Sequence, residues 1–129
     1  RGLGDVYKRQ EDGLCELTVT APTLVSELRD GTIREYTITA EEMGLRPGKL
    51  DDIRTDSAEE SAQMILAILS GEDQGTPRDM ALINTSGALV VAGLADDLKQ
   101  GVSLASEAVD SGRALEKLEQ LKTFSQQAA

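Results

Sequence analysis

Four residues near the start of the chain, Glu11, Asp12, Cys15 and Glu16 in EDGLCEL, offer the clearest chemistry in the sequence. Asp12-Gly13 is a turn signal, so Glu11, Asp12 and Glu16 bring three carboxylates to one turn. Carboxylate oxygens are the hard ligands that Mg²⁺ takes. The same cluster also reads as an ordinary solvated acidic surface, and the sequence alone leaves both open. Cys15 has the size and polarity of a small buried residue. As a nucleophile it would need a base to make the thiolate, and the 129 residues contain no histidine.

That missing histidine excludes Ser-His-Asp and Cys-His catalysis, histidine metal sites and the commonest general base at neutral pH. Chemistry done by this chain must use carboxylates, Lys or Arg, hydroxyls or backbone groups. One more segment, GLRPGKL at Gly44–Leu50, has the look of a phosphate-binding loop. It is one residue short of the required spacing and places Leu50 where a metal-binding hydroxyl is needed, so it is rejected.

Composition narrows the partners. Acidic residues outnumber basic ones 23 to 13, for a net charge of −10, and such a surface repels phosphate backbones and anionic membranes. Aromatic residues make up 2% of the chain, with no Trp, so platforms for stacking bases are nearly absent. Neither nucleic acid nor a membrane is expected as a partner. A single cysteine makes no internal disulfide, and no signal-peptide or transmembrane run is present. The expected location is cytoplasmic.

The elements that must position the acidic turn follow from local patterns. Leu14–Thr20 alternates roughly as a strand or extended segment. Thr23–Arg29 and Thr32–Thr39 flank Asp30-Gly31, the signature of a hairpin with a two-residue type I′ turn. That loop sets the register: Leu28 faces Ile33, Glu27 faces Arg34 and Val25 faces Tyr36. Glu41–Gly44 reads as a single helical turn within the connection to Arg54. Ser57 to Leu69 predicts an amphipathic helix, with Ser57 and Glu60 at capping-box spacing and an inward stripe of Ala58, Ala62, Ile65, Leu66 and Leu69.

Thr76–Gly93, TPRDMALINTSGALVVAG, is the central element. It is apolar around most of its circumference and must be buried on most sides. Thr76 as cap, Pro77 at the first turn and Asp79 three residues after the cap mark its start; Gly93 marks its stop. The small polar patch Asn84, Thr85, Ser86 and Gly87 would admit another backbone or helix closely, with a ligand site as the alternative reading. A third helix, capped by Asp96 or Asp97, presents Leu98, Val102, Ala105 and Val109 inward and carries Gly101, which at about 1 kcal/mol against alanine implies a packing reason. A fourth helix from about Arg113 turns Ala114, Leu115, Leu118, Leu121 and Phe124 inward, with Ser125–Ala129 fraying. Arg1–Gln10 follows neither a helical nor a strand period, and its DVYKRQ resembles translated adaptor sequence; residues 1–10 are therefore read as a non-native leader and 11–129 as the domain.

The segments DGLCEL, VSELRDGTIREYTIT, EEMGL, SAEESAQMILAIL, RDMALINTSGALVVAG and DDLKQGVSLASEAVDSGRALEKL, in this order and spacing, resemble the carboxy-terminal part of the anthranilate phosphoribosyltransferase family from about Glu11 to Gln127. The resemblance implies an α/β fold, namely part of the α/β domain of the nucleoside phosphorylase/anthranilate phosphoribosyltransferase fold, seen here as a hairpin and four helices. It implies transfer of phosphoribosyl from phosphoribosyl pyrophosphate to anthranilate in tryptophan biosynthesis, with Mg²⁺ as cofactor. Family members place an Asp-Glu pair after Gly-Leu or Gly-Met to help hold that metal; the aligned residues are Cys15 and Glu16. Glu16 matches as a metal-binding carboxylate, whereas the thiol of Cys15 departs from the pattern and is a poor ligand for Mg²⁺.

The family's glycine-rich diphosphate loop, anthranilate-binding residues and helical domain belong upstream and have no match in this chain. No catalytic or substrate-binding residue is therefore assigned here, the chain alone is expected to be inactive, and a homodimer is expected only with the amino-terminal domain. Two other readings accommodate the residues: a pyrimidine-nucleoside phosphorylase-like relative, and a non-catalytic acidic α+β interaction module.

Overall fold

A computed structural model describes residues 6–10, 14 and 16–127, the first five by their backbone pairing. The hairpin is in the expected register. Strand β2 (Thr23–Arg29) pairs antiparallel with β3 (Thr32–Ile38), with Leu28 opposite Ile33, Glu27 opposite Arg34 and Val25 opposite Tyr36. Asp30 and Gly31 both take positive φ, 50° and 77°, as a type I′ turn requires. Val25 is buried while Leu28 and Ile33 face outward. Tyr36 donates its hydroxyl to Glu27 across the pair.

Strand β1 (Val6–Gln10) adds to the free edge of β2, antiparallel, with Val6 opposite Glu27 and Gln10 opposite Thr23. The absence of a strand period in this stretch therefore misled, because an edge strand is held by main-chain hydrogen bonds and needs no alternation of its own. In the opposite direction, the described part of Leu14–Thr20 is bent rather than a strand. It is nonetheless buried at Leu17, Thr18 and Val19, fastened to a helix instead of a sheet.

Helix α1 (Ala58–Ser70) is capped by Ser57, whose hydroxyl accepts the Glu60 N–H, and stops at Gly71 with φ 80°. The Glu60 carboxylate reaches back one residue further than a capping box, accepting from the Asp56 N–H. Its buried face is also displaced from expectation. Ile68 is buried and Leu69 half-buried, whereas Ala58, Ala62, Ile65 and Leu66 are exposed. Only one edge of α1 meets its neighbours, and that edge selects Ile68 over the wider stripe.

Helix α2 (Thr76–Val91) is central as expected, with Ile83 and Ser86 fully enclosed. Its outer face, at Thr85, Ala88 and Val91, is exposed, so burial covers fewer sides than the apolar count suggests. Its start differs too: Gly75 is the cap residue and Thr76 the first helical residue. The Thr76 hydroxyl donates to Asp52 in a short 3-10 helix, Leu50–Ile53. Asp79, freed from capping, is buried and accepts the Arg46 N–H and pairs with the Arg46 guanidinium, tying the long connection onto α2.

Helix α3 (Leu98–Asp110) is capped by Asp97 and buries Leu98, Gly101, Val102, Ala105 and Val109. Gly101 lies so close to α2 that a Cβ there would stand 2.8 Å from the Cα of Ser86 and 2.9 Å from its carbonyl oxygen. That contact is the packing reason for the glycine. Helix α4 (Arg113–Gln127) runs three residues into the stretch expected to fray and has no fully buried residue. Ala114, Leu115 and Leu118 are half-buried, while Leu121 and Phe124 are exposed, contrary to the inward face expected for all five.

Candidate functional site

The candidate carboxylate, Glu16, is exposed at the head of a segment whose next three residues are buried. A segment without strand partners must satisfy its main-chain groups elsewhere, and here α2 does it. The Leu17 N–H donates to Asn84 Oδ1 at 3.0 Å, and Asn84 Nδ2 donates to the Leu17 carbonyl at 2.7 Å and to the Met80 carbonyl at 2.9 Å. Two residues on, the Val19 N–H points at Met80 Sδ, 3.3 Å away, and the Val19 carbonyl accepts the Gly48 N–H at 3.0 Å. The Leu17 side chain lies against Gly87, where a Cβ would come within 3.0 Å of it.

The polar patch of α2 thus divides its work. Asn84 grips the segment that carries Glu16, Gly87 makes room for Leu17, and Ser86 faces α3. Sequence reasoning found the close approach but missed the grip. The signal was a carboxamide, both donor and acceptor, within an apolar run. The Gly48 amide, within GLRPGKL, is spent on Val19.

Glu11, Asp12 and Cys15 lie outside the described residues, and among the described residues no group of three or more His, Cys, Asp or Glu could hold a metal ion. Glu16 by itself suits one position around Mg²⁺. It is an accessible hard oxygen donor on a fixed backbone, and Mg²⁺ commonly takes one or two carboxylates, keeping waters and substrate phosphates for the rest.

A cleft of about 400 Å³ on the other side of α2 is lined by Arg46, Arg78, Asp79, Lys99 and Ser106. Its chemistry is structural. The Arg78 side chain, 7% exposed, pairs through Nη2 with Asp110 Oδ1 at 3.0 Å and donates to Ser106 at 2.9 Å. Nη1 of the same guanidinium is buried without a partner. Asp110→Ala therefore leaves a buried cation poorly compensated and is expected to cost about 1–3 kcal/mol, read as a lowered melting temperature; Asp110→Asn should recover part of it. A second cleft, of about 460 Å³, is lined in part by Glu27, Arg29, Tyr36 and Lys99. Burial, and then the Glu27 carboxylate, raise the Tyr36 phenol above its usual value. Among the described residues, no helix is long and apolar enough to cross a membrane.

Residues 6–115 match the family model described as glycosyl transferase family, a/b domain. Over 113 residues, 88% of this chain, the sequence is 45% identical to the anthranilate phosphoribosyltransferase of Desulfosudis oleivorans, of which it covers 33%. The structure is similar to that of anthranilate phosphoribosyltransferase from Thermus thermophilus, with a TM-score of 0.81 and 31% identity, over 91% of this chain and 34% of that one. A variant of the Saccharomyces cerevisiae enzyme solved with Mg bound aligns at a TM-score of 0.72 and 25% identity, over 88% of this chain and 33% of that one. The chain spans about one third of the length of the curated relatives it matches.

Proposed function

We propose a function from the premise that this chain belongs to the glycosyl transferase family, a/b domain: it is the carboxy-terminal part of an anthranilate phosphoribosyltransferase, contributing Glu16 to Mg²⁺ binding. The intact protein would join anthranilate to phosphoribosyl pyrophosphate, release pyrophosphate, and serve tryptophan biosynthesis in the cytoplasm. The observation that supports this reading of Glu16 is its exposure on a backbone that α2 holds in place, at the position that the resemblance aligns with the family's acidic pair. Similarity to a neighbour solved with Mg bound supports the choice of cation.

Displacement at C1 of the ribose builds positive charge on the sugar and negative charge on the departing diphosphate. Mg²⁺, when bound, supplies charge to neutralise the leaving group. Glu16 would hold the ion directly or through a water. Its exposure leaves the carboxylate open to a cation that substrate phosphates would also hold, and the buried Leu17–Val19 behind it keeps the backbone in place. Cys15 supplies no hard oxygen, so waters or a neighbouring carboxylate, Asp12 or Glu11, would complete the shell.

The exposed apolar residues Ile65, Leu66, Leu121 and Phe124 support a chain that packs within a larger domain. A homodimer belongs to the protein that also carries the helical domain. The 129-residue chain alone is expected to form no phosphoribosylanthranilate, and the same chain joined to its upstream region is expected to form it with Mg²⁺. Turnover by the isolated chain, or none by the joined protein, would defeat the proposal.

A further inference from the structure

We propose that Asn84 is a positioning residue for the Glu16 carboxylate: its side-chain amide fixes the main chain of Leu17, and so the direction in which Glu16 meets the metal. This rests on the reading of Glu16 given above. The amide makes three hydrogen bonds, two of them to the N–H and carbonyl of one residue, Leu17, and the third to the carbonyl of Met80 one turn back on α2. A neighbouring strand would grip a residue in the same two-sided way; here one side chain replaces it.

Only a carboxamide does this. Aspartate keeps the acceptor for the Leu17 N–H but has no donor for the two carbonyls, and alanine has neither. The rest of the segment does not depend on Asn84. Val19 is bonded to Met80 and Gly48, and the Leu17 side chain is enclosed against Gly87. Removal of the amide therefore frees the peptide next to Glu16 while the segment stays docked. Groups that orient metal ligands commonly change metal affinity by about 10–100-fold when removed.

The test uses the intact protein containing this chain, with Asn84→Asp, Asn84→Ala and Glu16→Gln. Mg²⁺ is titrated by calorimetry in the presence of phosphoribosyl pyrophosphate, and amide hydrogen exchange is followed at Leu17 and Val19. Asn84→Ala should weaken Mg²⁺ binding about tenfold and speed exchange at Leu17 more than at Val19. Asn84→Asp keeps an acceptor for the Leu17 N–H but sets a carboxylate oxygen against the Leu17 and Met80 carbonyls, so it too should weaken Mg²⁺ binding and speed exchange at Leu17. Wild-type Mg²⁺ affinity in Asn84→Asp together with faster Leu17 exchange would reduce Asn84 to a structural role and overturn the inference. Unchanged Mg²⁺ binding in Glu16→Gln would instead overturn the metal-binding role of Glu16, and this inference with it.

Discussion

Replacing Glu16 by glutamine in the intact protein is expected to lower kcat/KM for phosphoribosyl pyrophosphate at least a hundredfold at fixed, limiting Mg²⁺, equivalent to about 2.7 kcal/mol of lost transition-state stabilisation. Glutamine keeps the length and shape of the side chain, so the buried Leu17–Val19 and its bonds to α2 should be undisturbed. It removes the negative charge, which is the property a divalent cation uses. Because the metal matters most when the diphosphate departs, the loss should fall on the chemical step as well as on binding. Raising Mg²⁺ should recover part of the activity, since the cation would still be held by the substrate oxygens. A glutamine variant with the wild-type Mg²⁺ dependence and rate would mean that Glu16 is only a solvated surface carboxylate.

Gly101→Ala is expected to destabilise the protein by about 2 kcal/mol. Alanine in a helix interior gains about 1 kcal/mol over glycine, so at an open position it would stabilise. Here the new methyl would meet the Cα, Cβ and carbonyl oxygen of Ser86 at 2.8–2.9 Å. Two of those atoms are main chain and cannot rotate aside, and Ser86 is fully buried, its hydroxyl donating to the Ile83 carbonyl. Helices α2 and α3 must separate, and overpacking of this kind costs about 1–3 kcal/mol or more. Thermal unfolding should show a melting temperature lower by roughly 4–8 °C. Ser103→Ala, at an exposed position of the same helix, is the control and should change little. A Gly101→Ala variant more stable than wild type would mean that the two helices lie farther apart.

The parts of this fold that were legible in the sequence are those decided by short-range rules. Asp30-Gly31 selects one turn type, and that turn dictates which residues of β2 and β3 face each other. Asp97, four apolar residues at helical spacing and Gly112 define α3 with its buried face, and Gly101 announced a close neighbour that proved to be Ser86.

The parts that were not legible depend on what lies alongside. The stripe on α1 is real in sequence, yet the neighbours in this chain cover only its Ile68 edge. Leu121 and Phe124 on α4 show the same pattern. Spacing along a helix marks which residues share a face, and only the neighbouring elements decide how much of that face is covered. Strand β1 escaped notice because main-chain pairing leaves no mark on side-chain pattern. Asp79 was misassigned because the same spacing serves a cap or an ion pair, and only the position of Arg46 decides between them.

In the candidate site, Glu16 is proposed from its resemblance to the family's acidic pair, while the bonds of Asn84 to Leu17 were not legible. The sequence marks Asn84 as part of a small polar patch open to a close neighbour, but not which chain it bonds. Leu17 and Asn84, 67 residues apart in sequence, share no local rule.

The measurement that tests the central claim most directly is a calorimetric titration of phosphoribosyl pyrophosphate into the intact protein, with and without Mg²⁺. Saturable binding that requires Mg²⁺, and that Glu16→Gln weakens, is the predicted result. Binding indifferent to Mg²⁺ and to residue 16, or no binding at all, would contradict the proposal that this chain is part of a Mg²⁺-dependent phosphoribosyltransferase.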